Sequence, residues 1–444
     1  VELRRHLGRK VGVEQQAGTR ERIVALGVTN QRETLCLWDR DTLGAPRRAI
    51  VWQDRRTTEI CKHLVEGGHA DLVHERTGLR LDPYFTATKA TWIRDNEPHV
   101  WSSVESGQTA IGTVDSYFIA RMTRGLHHIT DPTNASRTLL FDIVRGCWDE
   151  ELCALFGVPM SALPEVTSSY GRLARTDPAT FLGLDLPICG IAGDQQAALV
   201  GQAGFRAGDA KCTYGTGSFL LMNTGREPRW SDRGLLTTVA LGHPDGRLDY
   251  ALEGSVFVTG AAVQWLRDGL QIIDSAAEIE DLARTEPDSG GVVFVPALTG
   301  LGAPYWDPQA RGTILGITRG TTRGHLARAT LEAIAFQVGD VVALMSDEAG
   351  VGMTTLAIDG GAAANNLLCQ IQADVLAAQV DRSAELQTTG LGAAFLAGVG
   401  AGVWPGLESL TRRSSGTFAP RPLEESLRTQ WTRAVARSEN WVED

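Results

Sequence analysis

The densest chemical signal in the chain is Gly190-Ile191-Ala192-Gly193-Asp194-Gln195-Gln196-Ala197-Ala198-Leu199-Val200-Gly201-Gln202. The apolar run from Pro187 to Ala192 reads as a buried strand, with a helix starting almost at once behind Asp194. One carboxylate then stands at the carboxyl end of a strand and the mouth of a helix, where α/β proteins collect ligands. A carboxylate there can accept a proton from a substrate hydroxyl. It can equally do no more than cap the helix, and this stretch alone leaves both roles open. Arg32-Glu33, at the end of another predicted strand, is an adjacent plus–minus pair able to grip the hydroxyls of a small polyol through charge-assisted bonds. A solvated surface pair is the alternative. Tyr84 and Phe219 offer the aromatic wall of a small pocket, or plain core. His127-His128 has no third ligand nearby in sequence and reads as surface, so no metal ligands are assigned. No Ser/His/Asp nucleophile stands out.

Glycine turns beside apolar strands fill the second half: Thr213-Tyr214-Gly215-Thr216-Gly217-Ser218, Thr299-Gly300-Leu301-Gly302-Ala303-Pro304, Asp359-Gly360-Gly361-Ala362 and Thr389-Gly390-Leu391-Gly392. Such turns can cradle phosphate, because backbone N–H groups approach closely where no Cβ intervenes. Glycine also serves any tight turn, so the argument rests on their number and on the alcohols Thr213, Thr216, Thr299 and Thr389 within them. None fits a P-loop or a strand-linked dinucleotide fingerprint.

The elements that must hold these groups follow from periodicity. Val1 to about residue 10 reads as the tail of an amphipathic helix. Arg22 to Thr29 is a buried strand, Leu35 to Asp39 a second, and Ala49 to Asp54 a short segment leading into a helix. Asp82-Pro83-Tyr84-Phe85 forms a turn. The polar stretch Thr130-Asp131-Pro132-Thr133-Asn134-Ala135-Ser136-Arg137 predicts a surface-to-cleft loop. Thr259 to Leu270 carries Val263, Leu266 and Leu270 on one helical face, and Asn366 to Val375 carries Leu367, Leu368, Ile371 and Val375 on another. Ile188–Gln202 and Leu356–Gln370 echo each other as strand, turn and helix. Two halves built alike would face each other across a cleft. The boundary falls near 203–212, which gives domains over 1–205 and 206–444.

With 444 residues and 43% hydrophobic content the chain can bury two or three sizeable cores. No apolar run approaches a membrane span and the amino end carries no signal peptide. Seven cysteines without C-x-x-C spacing fit a reducing cytoplasm. A net charge of −11 argues against nucleic-acid binding, so an anionic ligand must be held by local backbone devices.

Taken together, several words resemble the glycerol kinases, within the carbohydrate kinases built on two actin-like (ribonuclease H-like) domains. They are Gly27-Val28-Thr29-Asn30-Gln31-Arg32-Glu33-Thr34, Val51-Trp52-Gln53-Asp54-Arg55-Arg56, Leu81-Asp82-Pro83-Tyr84-Phe85, Thr133-Asn134-Ala135-Ser136-Arg137-Thr138, the Gly-Asp-Gln-Gln stretch, Thr213-Tyr214-Gly215-Thr216-Gly217, and Gly300-Leu301-Gly302-Ala303-Pro304-Tyr305-Trp306-Asp307-Pro308. The resemblance runs from about Ile23 to Trp404. It implies an α/β fold with a glycerol-binding first domain and a nucleotide-binding second domain across a central cleft. It also implies phosphorylation of glycerol by ATP with Mg²⁺. By motif match Arg32, Glu33, Tyr84, Asp194 and Gln195 would hold glycerol's hydroxyls, Phe219 would pack on its carbons, and Asp194 would be the general base. Thr216, Gly260, Gln264, Gly361 and Asn365 fall where the family contacts the nucleotide. A homodimer or homotetramer is compatible with the resemblance.

Family members open with a strand carrying Asp-Gln-Gly-Thr-Thr-Ser-Ser, a turn that grips the ATP phosphates. By this comparison Val1 enters inside a later helix, and roughly fifty residues of the first domain's opening strands are expected to be missing. An incomplete reading of a normal enzyme is the preferred explanation, because the remaining site residues are intact. An inactive glycerol-binding remnant is the other, and a kinase for another polyol or sugar is the alternative activity. Neither a fructose 1,6-bisphosphate loop around Asp177–Pro187 nor a phosphorylatable histidine at Arg233 carries over.

Overall fold

The computed structural model describes residues 23–442. The helix expected over the first ten residues lies outside the described residues. The first unit is organised on a three-stranded sheet. Leu26–Asn30 runs parallel to Pro187–Gly193, which pairs antiparallel with Tyr170–Arg175. The register Asn30↔Gly193 brings the carboxyl ends of the two parallel strands side by side. Both predicted site words, Arg32-Glu33 and Asp194-Gln195, begin at that edge. A separate apolar core under Leu35, Phe85, Ile93, Trp101 and Leu140 fastens the helices of residues 58–105 to the strand pair Cys36–Asp39 and Thr109–Gly112. The segment expected over Ala49–Asp54 is reduced to a single bridge between Ile50 and Leu35.

The second unit holds a seven-stranded sheet in the order Leu236–Gly242, Leu248–Val256, Ser218–Gly225, Ala210–Tyr214, Thr355–Asp359, Gln379–Ser383, Ser414–Phe418. The first four are antiparallel neighbours. Ala210–Tyr214, Thr355–Asp359 and Gln379–Ser383 then run parallel. Helix Arg323–Ala349 lies against this sheet, opened by a capping box between Thr322 and His325 and closed by Gly350 at φ 66°. Within its 27 residues an 18-residue window reaches a mean hydropathy of 1.3, long and apolar enough for a membrane span, which corrects the reading that no run approaches one. Of that window 72% is buried inside the fold, so the apolarity is that of a core helix.

Two elements knit the units together. The hairpin Leu236–Val256 leans on the first unit, where Leu236 joins the Phe85 core and Val239 and Tyr250 pack on Ala135 and Phe141. Helix Thr388–Gly400 packs on the Pro187–Gly193 strand and the Asp194 helix. A Cβ on Gly392 would sit 1.7 Å from Ala197 O, and one on Gly27 would sit 2.2 Å from Ala393 O. Only glycine lets those backbones meet.

The stretch Thr130–Arg137 corrects the sequence reading. It is buried throughout and contains a short helix, Pro132–Ala135, capped by Asp131. Its polar groups face each other instead of water. Asp131 accepts from Thr133 Oγ1 at 2.9 Å, Asn134 Nδ2 at 2.9 Å and Ser169 Oγ at 2.6 Å. His128, read as surface, is half-buried against Trp38 with rings 5.0 Å apart, and burial pushes its imidazole down to about 4. Leu270 leaves the predicted helical face, since the helix is Gly260–Asp268 and Leu270 is exposed beyond it.

Candidate active site

All of the residues assigned to substrate from the sequence meet in one pocket of about 300 Å³, open to solvent and lined by Gln31, Arg32, Glu33, Trp52, Tyr84, Asp194, Gln195 and Phe219. Each arrives by a local device. Behind strand Leu26–Asn30 the chain turns sharply, and Thr34 N–H donates to Arg32 O at 2.7 Å. Glu33 takes φ 62°, a left-handed conformation uncommon for a long side chain. Tyr84 sits in the expected turn, its N–H donating to Asp82 Oδ1 at 2.8 Å. Beneath it the buried ammonium of Lys89 donates to Tyr84 O at 2.6 Å and Phe85 O at 2.9 Å, and burial brings that amine down to about 8. Trp52 stands edge-on to Tyr84 with ring centres 5.5 Å apart.

Asp194 opens helix Asp194–Gly201, but the N-cap position is Gly193 and carries no side-chain cap. The carboxylate instead accepts Gln195 N–H at 2.8 Å and lies 3.3 Å from Arg32 Nε. Capping is therefore not what holds it. Its approach is fixed from behind, where Gly193 N–H donates to Thr133 Oγ1 at 2.8 Å and Thr133 in turn is held by Asp131.

The contrast among the carboxylates decides which one is open to solvent. Asp194 keeps 34% of its side-chain surface open. Glu33 and Glu253 keep 2% and 1%. Glu253 takes Arg32 in a two-pronged pair, Nη1 at 2.6 Å and Nη2 at 3.0 Å, and Arg137 Nη2 at 3.0 Å. Burial alone would raise its carboxyl, but Arg137 and Arg32 outweigh it and hold it at about 2. Arg137 Nε donates to Glu33 Oε1 at 2.7 Å. Burial pushes the Glu33 carboxyl up against the pull of the arginines. Arg32 Nε makes no hydrogen bond within the protein, although it is buried at the pocket wall. Its nearest oxygens are Asp194 Oδ1 at 3.3 Å and Glu33 Oε1 at 3.6 Å, so it faces both carboxylates as an ion pair.

In the second unit the register Thr213↔Asp359 sets two glycine turns next to each other at the ends of parallel strands. Gly360 takes φ 88°, and a Cβ there would lie 2.3 Å from Tyr214 O. Helix Gly260–Asp268 starts against the same turn, with Gly260 N–H donating to Gly215 O at 3.0 Å and Ala261 N–H to Thr216 O at 3.1 Å. Thr216, Gly260 and Gly361 are thus brought to one rim, and Gln264 is exposed one turn further along the helix. Asn365 spends its Oδ1 capping helix Asn366–Leu376, accepting Leu368 N–H at 2.8 Å. Gly361 and Gly390 have nothing within 4 Å of a would-be Cβ, and neither takes a positive φ. Neither packing nor backbone demands glycine there, which leaves room for a ligand's phosphates. The turn at Thr299–Pro304 packs on the end of strand Leu248–Val256, with Ala303 N–H donating to Ser255 O at 3.1 Å.

Sequence reasoning missed Glu253, Arg137 and Lys211, which hold the assigned residues, and Gln31 and Trp52, which line the pocket. Arg137, Gln31 and Trp52 stand inside the motif words and were available to it. Glu253, one of two acids in the strand Leu248–Val256, carried no signal.

The chain belongs to the FGGY family of carbohydrate kinases. Residues 9–201 match the N-terminal domain of that family and residues 210–401 its C-terminal domain. The glycerol kinase of Dechloromonas aromatica is 54% identical over 427 residues, 95% of this chain and 85% of that protein. That of Thermus brockianus is 51% identical, covering 98% of this chain and 87% of its own length. The crystal structure of Plasmodium falciparum glycerol kinase with ADP superposes with a TM-score of 0.89 at 38% identity, over 94% of this chain and 84% of that one. The gluconate kinase from Lactobacillus acidophilus, at 22% identity and a TM-score of 0.82, shares the fold. The two-domain, actin-like α/β architecture expected from the sequence is the architecture of this family.

Proposed function

We propose that this chain transfers the γ-phosphoryl group of ATP to glycerol, giving glycerol 3-phosphate and ADP. The observation that carries the reading is the pocket around Asp194. One accessible carboxylate faces a small open pocket, beside the guanidinium of Arg32, the amide of Gln195 and the aromatic side chains of Tyr84, Trp52 and Phe219. Relatives with about half of their residues identical bear the name glycerol kinase, and the ADP-bound neighbour supports a nucleotide at the glycine turns.

In this reading Arg32, Glu33, Tyr84 and Gln195 orient the hydroxyls, and Phe219 covers the carbon chain. Asp194 accepts the proton of the attacking hydroxyl as its oxygen bonds to the γ-phosphorus and the bond to the bridging oxygen of ADP breaks. Thr216, Gly260, Gln264, Gly361 and Asn365 line the nucleotide rim. Mg²⁺ neutralises charge on the transferring phosphates when bound; a site offering the single open carboxylate of Asp194 suits a cation that takes most of its ligands from phosphate and water. Residues 1–205 would supply the glycerol half and 206–444 the nucleotide half, with Phe219 reaching across. A cytoplasmic location is supported by seven free cysteines. Nothing in the assembled pocket supports an inactive remnant.

The test is steady-state turnover of the purified chain with Mg-ATP against glycerol, erythritol, a pentulose and gluconate. Glycerol should exceed each of the others in kcat/KM by about a hundredfold or more. Preference for a sugar or a sugar acid would refute the substrate.

A further inference from the structure

Lys211 is wholly buried on strand Ala210–Tyr214, and its ammonium reaches the back of the pocket wall. It donates to Gln195 Oε1, to Thr213 Oγ1 at 3.1 Å and to Phe219 O at 3.3 Å. Those acceptors use the three protons of an ammonium group. Gln195 and Phe219 are pocket walls contributed by the two units, and Thr213 opens the glycine turn on the nucleotide side. A lysine can only donate, so the atom of Gln195 facing it must be the amide oxygen, whatever the usual ambiguity between the two ends of an amide. The Gln195 nitrogen is then the end left for the cavity.

We propose that Lys211 is a positioning residue of the phosphoryl transfer: it locks the Gln195 amide with its N–H groups toward the cavity, so that this wall offers donors and the substrate must accept there. A hydroxyl can accept. A protonated amine cannot, so the pocket discriminates between a triol and an aminodiol of the same size. Burial lowers the Lys211 amine while Asp359, Asp194 and Glu253 act to keep it charged. This inference rests on the glycerol kinase reading and specifies one wall of that same site.

The experiment is a double-mutant cycle on the full chain with Lys211→Met and Gln195→Leu. It measures kcat/KM for glycerol, 2-amino-1,3-propanediol and 3-amino-1,2-propanediol. Lys211→Met frees the amide to turn over, so the ratio of amine to glycerol should rise about tenfold for the isomer whose ammonium faces Gln195. In the Gln195→Leu background the same lysine change should leave that ratio where it was. A ratio that rises equally in both backgrounds reports only the lost positive charge and overturns the proposal, as does no rise at all. Lys211→Arg, keeping charge and donors, should retain the parent's selectivity. Should Lys211→Met fail to fold, Gln195→Glu decides instead. It keeps an acceptor toward Lys211 but removes the donor, so KM for glycerol should rise about tenfold with KM for ATP unchanged. Parent-like glycerol KM in that variant overturns the proposal. Absence of glycerol turnover in the unmodified chain would overturn the functional reading as well, whereas turnover with independent, additive losses removes only the role of Lys211.

Discussion

Three carboxylates surround Arg32 at the pocket wall, and their fates under substitution should diverge because their surroundings do. Asp194 is one-third open and shares Arg32 with a second acid, so removing its charge leaves no arginine stranded. Asp194→Asn is therefore expected to fold as the parent does and to lose about 10²–10⁴ in kcat, the usual worth of a positioned base. Calorimetric affinity for glycerol should move by no more than about threefold, since the amide keeps one acceptor oxygen. Undiminished turnover would remove Asp194 from the base role. Glu253 is the opposite case. It is closed to solvent and sits between Arg32 and Arg137 at 2.6 and 3.0 Å. Glu253→Gln leaves both guanidinium groups buried with too little negative charge, a loss of about 3–5 kcal/mol in urea unfolding at neutral pH. Activity measured on whatever folds should also fall, because Arg32 loses its anchor. A Glu253→Gln variant as stable as the parent would show that Glu33 and Asp194 alone hold the arginines.

Glycines at the level of elements separate packing from ligand contact. Gly392 brings helix Thr388–Gly400 onto the Asp194 helix, and a methyl group would collide with Ala197 O. Gly392→Ala should cost about 1–3 kcal/mol, the usual price of overpacking, seen as a lower thermal midpoint. Gly361 faces open space at ordinary φ. Gly361→Ala should leave the midpoint unchanged and raise KM for ATP several-fold; an unaltered KM would detach that turn from the nucleotide. The strand–turn–helix around Asp194 was legible because its apolar run and its helix are contiguous, and periodicity sees contiguous elements. The aromatic and acidic words of the pocket were legible through the family resemblance. Thr130–Arg137 was misread for a physical reason: Asp131, Thr133, Asn134 and Ser169 satisfy one another in the interior. A sequence displays polarity without displaying the partner that makes burial tolerable. Glu253 escaped for the same reason, its partner Arg32 lying 221 residues away.

Across the whole molecule, acid stability is where several buried groups act together. His128 stands near pH 4 in the fold because burial and the neighbouring Arg40 disfavour its charged form. An unfolded histidine titrates near 6.5. Between those values the unfolded chain binds a proton that the folded chain refuses, so stability falls as pH drops through that window. Glu253, held at about 2, adds a second loss further down, from the ordinary glutamate range to pH 2. Asp115 works the other way. Burial raises its carboxyl to about 6, so the fold takes up a proton there that the unfolded chain does not, and stability rises as pH falls from 6 toward 4. Asp115 and His128 therefore oppose each other over the same two pH units, and removing one should expose the other. His128→Gln forfeits the contacts of the ring with Ile111 O and Arg40 at every pH. What it should change specifically is the slope. Between pH 7.5 and 5 the parent should lose about 1–2 kcal/mol that the variant keeps, once screening of a partly exposed ring is allowed for. With Asp115 left unopposed, the variant's unfolding free energy should stay level or climb over that interval. Urea titrations of both chains at pH 7.5, 6 and 5 measure this directly. Parallel pH dependences would mean that His128 takes up its proton alike in the folded and the unfolded chain and that the acid loss comes from the carboxylates.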